Sequence, residues 1–198
     1  MTDQTSFDTA TRIAAGDDGT TYGNVAIALH WATALLVLLQ FLTAFTWDWF
    51  PRETRETLEG LHTSLGVLLT AVIVARVVWR AMPGHQVSSL EIGWVKIASK
   101  GVHYLLYLML IIQAGLGLVI GWAAGHPIDF FGLPIPGPIG ALARPLRHNI
   151  REVHQWLGYT IVIVAFGHAL AALYHHYALH DRVLGRMFPP ARRSETAD

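Results

Sequence analysis

The sequence predicts an all-α integral membrane protein, a four-helix bundle, and three observations predict it. Of its 198 residues 53% are hydrophobic and only 14% charged, where an ordinary soluble domain has about 25% charged. Four apolar runs, roughly residues 25–46, 61–79, 102–124 and 153–179, approach or exceed the ~20 residues that cross a hydrocarbon core about 30 Å thick. Backbone groups in lipid must pair within their own segment, so each run should be a helix.

The chain opens on a polar stretch, residues 1–22, where Asp3, Asp8, Asp17 and Asp18 accompany a single Arg12. It lacks the basic segment, short apolar run and small-residue cleavage site of a secretory signal, so it reads as a disordered tail before a retained first span. Residues 23–190 are expected to form one transmembrane domain and 191–198 a cytoplasmic tail. Between the first two spans, 47–60 is short and contains Trp47, Trp49 and Pro51. The 80–101 connection carries QVSSLEIGWVKIASK, suited to lying amphipathically on a membrane surface. Residues 125–152, with HPIDFFGLPIPGPIG, are rich in Pro and Gly and predict an irregular cap. No internal repeat is apparent along the chain. Arg76, Arg80, Lys96, Lys100, Arg182 and Arg186 gather on the side of both termini, against Arg52, Arg55, Arg144, Arg147 and Arg151 opposite. That bias predicts cytoplasmic termini.

Zero net charge removes the basic excess that a nucleic-acid partner would require. The absence of cysteine excludes disulfides, iron–sulfur clusters and a covalently attached haem, leaving histidine as the metal ligand. His154 and His168 lie fourteen residues apart in one apolar run, which places them about 21 Å apart and on nearly one helical face. With the N-terminus inside, the first and third helices run outward and the others inward. His62 and His154 then share the outer depth, and His30 and His168 the inner one. A bis-histidine pair across two helices is what a low-spin b-type haem needs. The quartet His30, His62, His154 and His168 thus predicts two iron-containing haems stacked between the helices. Small residues, Ala34, Gly66, Gly158 and Ala172, stand four positions after each histidine and leave room for a flat macrocycle.

Plainer readings accompany each of these. A histidine in a membrane helix also hydrogen-bonds across a bundle, and small residues are common at helix contacts. His103 opens the third span and could serve a haem propionate, a quinone, or only as a polar cap. Arg76 and Arg80, four apart and on one face, could neutralise propionates, hold a quinone carbonyl, or anchor the span at the interface. Arg144, Arg147, His148 and Arg151 could steer a small anion toward the outer pair, or form a solvated helix start.

The motifs ALHW around His30, LHTSLG around His62, VHQWLGY around His154, GHALAALYHHY around His168 and the closing DRVLGRMFP resemble the prokaryotic cytochrome b561 family over residues 22–190. These are four-helix dihaem proteins of the bacterial inner membrane. The resemblance implies haem ligation by the same four histidines, a quinone partner such as ubiquinone, and oxidation of superoxide at the outer face. The third helix departs from the family, with Ala114 where a proline often precedes the glycine, which bears on a local kink alone. The expected function is single-electron transfer from an outer-face donor, superoxide, to membrane quinone, with no side chain needed to attack the substrate. The alternatives are a cytochrome subunit anchoring a larger dehydrogenase or hydrogenase, and a non-redox transporter using the same histidines.

Overall fold

The computed structural model describes residues 23–82, 94–180 and 184–187. The expected polar tail 1–22, residues 83–93 of the surface connection, His85 and the tail 191–198 lie outside the described residues. In chain order the elements are α1 (Asn24–Thr46), a 3-10 turn (Trp47–Trp49), α2 (Arg52–Ala81), α3 (Trp94–Trp122), β1 (Ile128–Phe130), β2 (Leu133–Ile135), α4 (Arg144–Tyr177) and a 3-10 turn (Leu184–Met187). All four helices are long and apolar enough to cross a membrane.

Their outward faces are apolar and uncovered: Leu35 is 57% exposed, Phe166 64% and Ile163 70%. Such continuous apolar surface is rare on a soluble monomer, and a bilayer solvates it. Several threonine hydroxyls on the spans are satisfied within their own helix, as lipid favours. Thr33 donates to the Leu29 carbonyl at 2.6 Å, Thr70 to that of Gly66 at 2.8 Å, and Thr160 to that of Trp156 at 2.9 Å. α1 packs along α2, α2 along α3, and α3 along α4. Leu36, Leu69 and Ile73, joined by Leu65, Val72 and Leu110, fill the middle of the bundle. α4 buries only Ile161.

Three helices begin ahead of their apolar runs, α3 at Trp94. α2 begins at Arg52, where the polar segment RETRETLEG continues the helix above the membrane. The i,i+4 pairs Arg52–Glu56 and Arg55–Glu59, each 2.8 Å, support that turn of exposed helix. α4 begins at Arg144 with Pro145 in its first turn, a position where the missing N–H goes unmissed.

The cap between α3 and α4 is more regular than its Pro and Gly content predicts. β1 and β2 pair antiparallel, Ile128 with Ile135 and Phe130 with Leu133. The two turn residues, Phe131 at φ 49 and Gly132 at φ 87, both take the positive φ of the two-residue turn whose twist matches a hairpin. Trp122 Nε1 donates to the Ile135 carbonyl at 3.1 Å. Buried Ser64 of α2 binds the turn twice, donating to the Asp129 carbonyl (3.3 Å) and accepting from the Phe131 N–H (3.1 Å). This end of the bundle is called the hairpin end below, and the opposite one the terminal end.

Candidate cofactor sites

At the hairpin end the rings of His62 (α2) and His154 (α4) face each other with centroids 6.4 Å apart and planes at 78°. A metal–imidazole bond is about 2 Å; adding about 1 Å from each nitrogen to its ring centre, two imidazoles on opposite sides of one metal sit roughly 6 Å apart. His62 Nδ1 lies 3.1 Å from the Gln40 carbonyl oxygen and 3.2 Å from Thr43 Oγ1. A carbonyl only accepts, so Nδ1 carries the proton and Nε2 is left with its lone pair free for a metal. Trp47 meets the same ring edge-on at 5.4 Å. His154 Nδ1 is buried with no hydrogen-bond partner among the described residues. Gly117 of α3 lies against this ring, and a Cβ there would sit 3.3 Å from His154 Cε1.

At the terminal end four side chains converge, one from each helix. His30 (α1) holds Arg76 (α2), Nη2 to Nδ1, at 3.0 Å. His103 (α3) meets His168 (α4) with ring centroids 4.9 Å apart. His30 lies within electrostatic reach of both His168 and His103. His103 Nδ1 donates to the Ser99 carbonyl at 2.7 Å, and the Arg76 guanidinium lies 5.0 Å from the centre of the Tyr107 ring.

The contacts expose a correspondence that the sequence does not advertise. In the α1–α2 pair, Gln40 stands ten residues after His30, and Gly66 and Arg76 stand four and fourteen after His62. In the α3–α4 pair, Gln113 stands ten after His103, and Gly158 and His168 stand four and fourteen after His154. The same residues meet, through different atoms: the Gln40 main-chain carbonyl accepts from the His62 ring, whereas the Gln113 side-chain Nε2 donates to the His154 main-chain carbonyl at 3.0 Å. A Cβ at Gly66 would stand 2.7 Å from Gln40 Nε2, and one at Gly158 3.2 Å from Gln113 Nε2. Both amide oxygens are buried without a partner. Each helix pair therefore presents the same frame, with Arg76 in one half standing where the other has His168.

The hairpin-end donor set suits b-type haem; at the terminal end the ring contact is between His103 and His168, and His30 is held by Arg76, so the expected pair His30 and His168 is not in ring contact. Among the described residues no three or more His, Cys, Asp or Glu side chains converge as a bare metal centre would need, whereas a histidine pair such as His62–His154 is what ligation of a macrocycle between helices requires. Arg144, Arg147, His148 and Arg151 line a cavity of about 300 Å³ with Ile120 and Ala123, one turn beyond His154 and Gly117. None of its three arginines makes an ion pair among the described residues. His175 and His176 sit in the last turn of α4, His126 is exposed in the loop, and none of these joins either site. Sequence reasoning overlooked Thr43, Gln40, Gln113 and Gly117. The two glutamines had a readable signal, each being the one amide in its apolar run.

Residues 21–190 match the model of a family described as prokaryotic cytochrome b561. The chain is 32% identical over 176 residues to a cytochrome b561 homologue of Escherichia coli K12, covering 84% of this chain and 90% of that protein. It is 27% identical over 176 residues to a probable superoxide oxidase of Yersinia pestis, covering 86% and 97%. A cytochrome b562 of Cereibacter sphaeroides is 28% identical over 175 residues, covering 85% and 96%.

Proposed function

The chain belongs to the prokaryotic cytochrome b561 family of membrane electron-transfer proteins, and from that premise we propose that it holds two b-type haems and passes single electrons from superoxide, at the hairpin end, to membrane quinone. His62 and His154 are the axial ligands of the hairpin-end haem, and His30 and His168 those of the other. The hairpin end faces the outer side of the inner membrane, and both termini are cytoplasmic. The observation that carries this reading is the facing pair His62–His154, with its 6.4 Å ring separation and the protonated Nδ1 of His62.

When bound, haem supplies a reversible one-electron ferric–ferrous couple. The chain's residues do the rest. The Gln40 carbonyl and Thr43 hydroxyl orient the His62 ring, and Ser64 ties the hairpin over that end of the bundle. Arg144, Arg147 and Arg151 give the approach to His154 a positive potential, which concentrates a small anionic donor and raises its encounter rate. The overall balance is that two superoxide anions leave as dioxygen while one quinone gains two electrons and two protons. The relative from Yersinia pestis that is named a probable superoxide oxidase supports this choice of donor.

The test is a reduced-minus-oxidised spectrum with haem quantification on the purified wild type and on alanine variants of the four histidines, followed by mixing with superoxide and a soluble quinone. About two haems per chain, loss of one in each variant, and quinone-dependent superoxide consumption are expected. A chain with full haem that ignores superoxide would instead be the anchor of a larger complex, and one without haem bands would end the cytochrome reading.

A further inference from the structure

We propose that Arg76 is the counter-cation of the terminal-end cofactor, its guanidinium pairing with a propionate carboxylate of the haem held by His30 and His168. The proposal rests on the dihaem reading above and concerns a residue that reading leaves without a task.

Among the described residues Arg76 is a half-buried cation with nothing negative near it. α1 and α3 contain no Asp or Glu, α2 has its acids at Glu53, Glu56 and Glu59, and α4 has only Glu152. All four lie toward the hairpin end, as do the ion pairs of Arg52 and Arg55 among the described residues. An arginine within a span faces a protein interior, a cavity or a partner, because lipid solvates it poorly. The partners Arg76 has, His30 Nδ1 and the Tyr107 ring, are neutral acceptors. A carboxylate matches the guanidinium fork with two charge-assisted hydrogen bonds and outcompetes both.

The repeated frame points the same way. Arg76 occupies in α2 the register that His168 occupies in α4, and its contact with His30 places its charge in the terminal-end site. There is also a consequence for His30. A guanidinium only donates, so while it holds His30 the Nδ1 lone pair is taken and a neutral ring keeps its proton on Nε2. Transfer of Arg76 to a carboxylate releases the ring, so that propionate pairing and axial ligation by His30 are one coupled event.

Resonance Raman spectra of the haem propionate bending bands and a potentiometric titration, on the full-length holoprotein in nanodiscs, compare wild type, Arg76→Gln and Arg76→Lys. In R76Q the propionate band of one haem should move to its unbonded position and that haem's potential should fall, because a nearby positive charge favours the reduced form. R76K should recover most of the potential but not the fork-bonded band. Loss of one haem in R76Q with retention in R76K also supports the pairing, since charge is then what the site needs. Unmoved bands and potentials in R76Q overturn it, and slower quinone reduction in that variant would assign Arg76 to a quinone carbonyl. Loss of the haem in both variants overturns it too, marking a packing role. Haem quantification of His168→Ala tests the premise separately: if that variant keeps both haems, the assignment of His168 as a ligand of the terminal-end haem fails whatever Arg76 does.

Discussion

The two ends of the bundle share one frame and are finished differently. At the hairpin end equivalent positions of α2 and α4 both carry histidine, the rings face each other, and the hairpin is bonded over them through Ser64. At the terminal end the equivalent positions carry Arg76 and His168, while His30 and His103 are equivalent across the other two helices. The first arrangement pairs two histidine rings, with the arginine-lined cavity one turn away, and the second is mixed and carries a cation in direct contact with a ring. Two chemically identical haems placed in these surroundings would differ in potential, because Arg76 touches a histidine ring at the terminal end whereas the arginines of the hairpin end stand a turn away from theirs.

The largest effect that tests this contrast is the removal of one ligand at each end. His154→Ala should cost the hairpin-end haem and His168→Ala the terminal-end haem, each halving the reduced-minus-oxidised absorbance, with the surviving haem at a different potential in each variant. The contrast breaks if the two survivors titrate at the same potential, or if either variant loses both haems.

Steric pressure on one end alone comes next. Gly117→Val would push branched methyls into the His154 ring, whose Cε1 already lies 3.3 Å from the position of a Cβ; overpacking of this kind costs about 1–3 kcal/mol. The hairpin-end haem should bind more weakly and its band broaden, with the terminal-end band unchanged. Gly115→Val is the control, since no atom lies within 4 Å of a Cβ there. Equal losses from both variants would place the cause in the helix and not in the ring.

Ser64→Ala should act on the cover of the hairpin end. It leaves the Phe131 N–H and the Asp129 carbonyl, both on exposed residues, without this partner, a loss of about 0.5–1.5 kcal/mol per hydrogen bond. Hydrogen exchange over residues 128–135 should quicken, and small reductants should reach the hairpin-end haem faster. Unchanged exchange there would show that Trp122 and the strand pairing hold the cap without Ser64.

Much of this was legible in the sequence for a physical reason: a span must be long and apolar, so run length alone locates α1 and the cores of the other helices. The start of α2 at Arg52 was not, because a polar helix above the membrane is held by pairs such as Arg52–Glu56 that hydropathy ignores. The hairpin hid behind its prolines, Pro127, Pro134 and Pro136, none of which interrupts a two-stranded edge as it would a central strand. Depth matching brought His62 and His154 to one level, but the partner of Arg76 and the frame shared by the helix pairs lay in contacts. That frame is marked by a few residues, a glutamine and a glycine per half, within runs whose apolar residues need only be apolar.

The smallest effect is expected from Thr43→Val. The Thr43 hydroxyl donates to the Leu39 and Gln40 carbonyls at 2.9 and 3.0 Å, so its oxygen is free to share the His62 Nδ1 proton with the Gln40 carbonyl. Valine keeps the branched shape and removes that acceptor, while Gln40 still fixes the tautomer. One neutral hydrogen bond contributes about 0.5–1.5 kcal/mol, so the hairpin-end haem should be retained. A proton less strongly drawn from Nδ1 makes the ligand less basic and stabilises the ferric iron less. The potential of the hairpin-end haem should therefore rise slightly in a potentiometric titration, while that of the terminal end stays where it is. A downward shift would reverse the assigned direction of the His62 hydrogen bond, and a shift at the terminal end would mean that the two sites are not electrostatically separate.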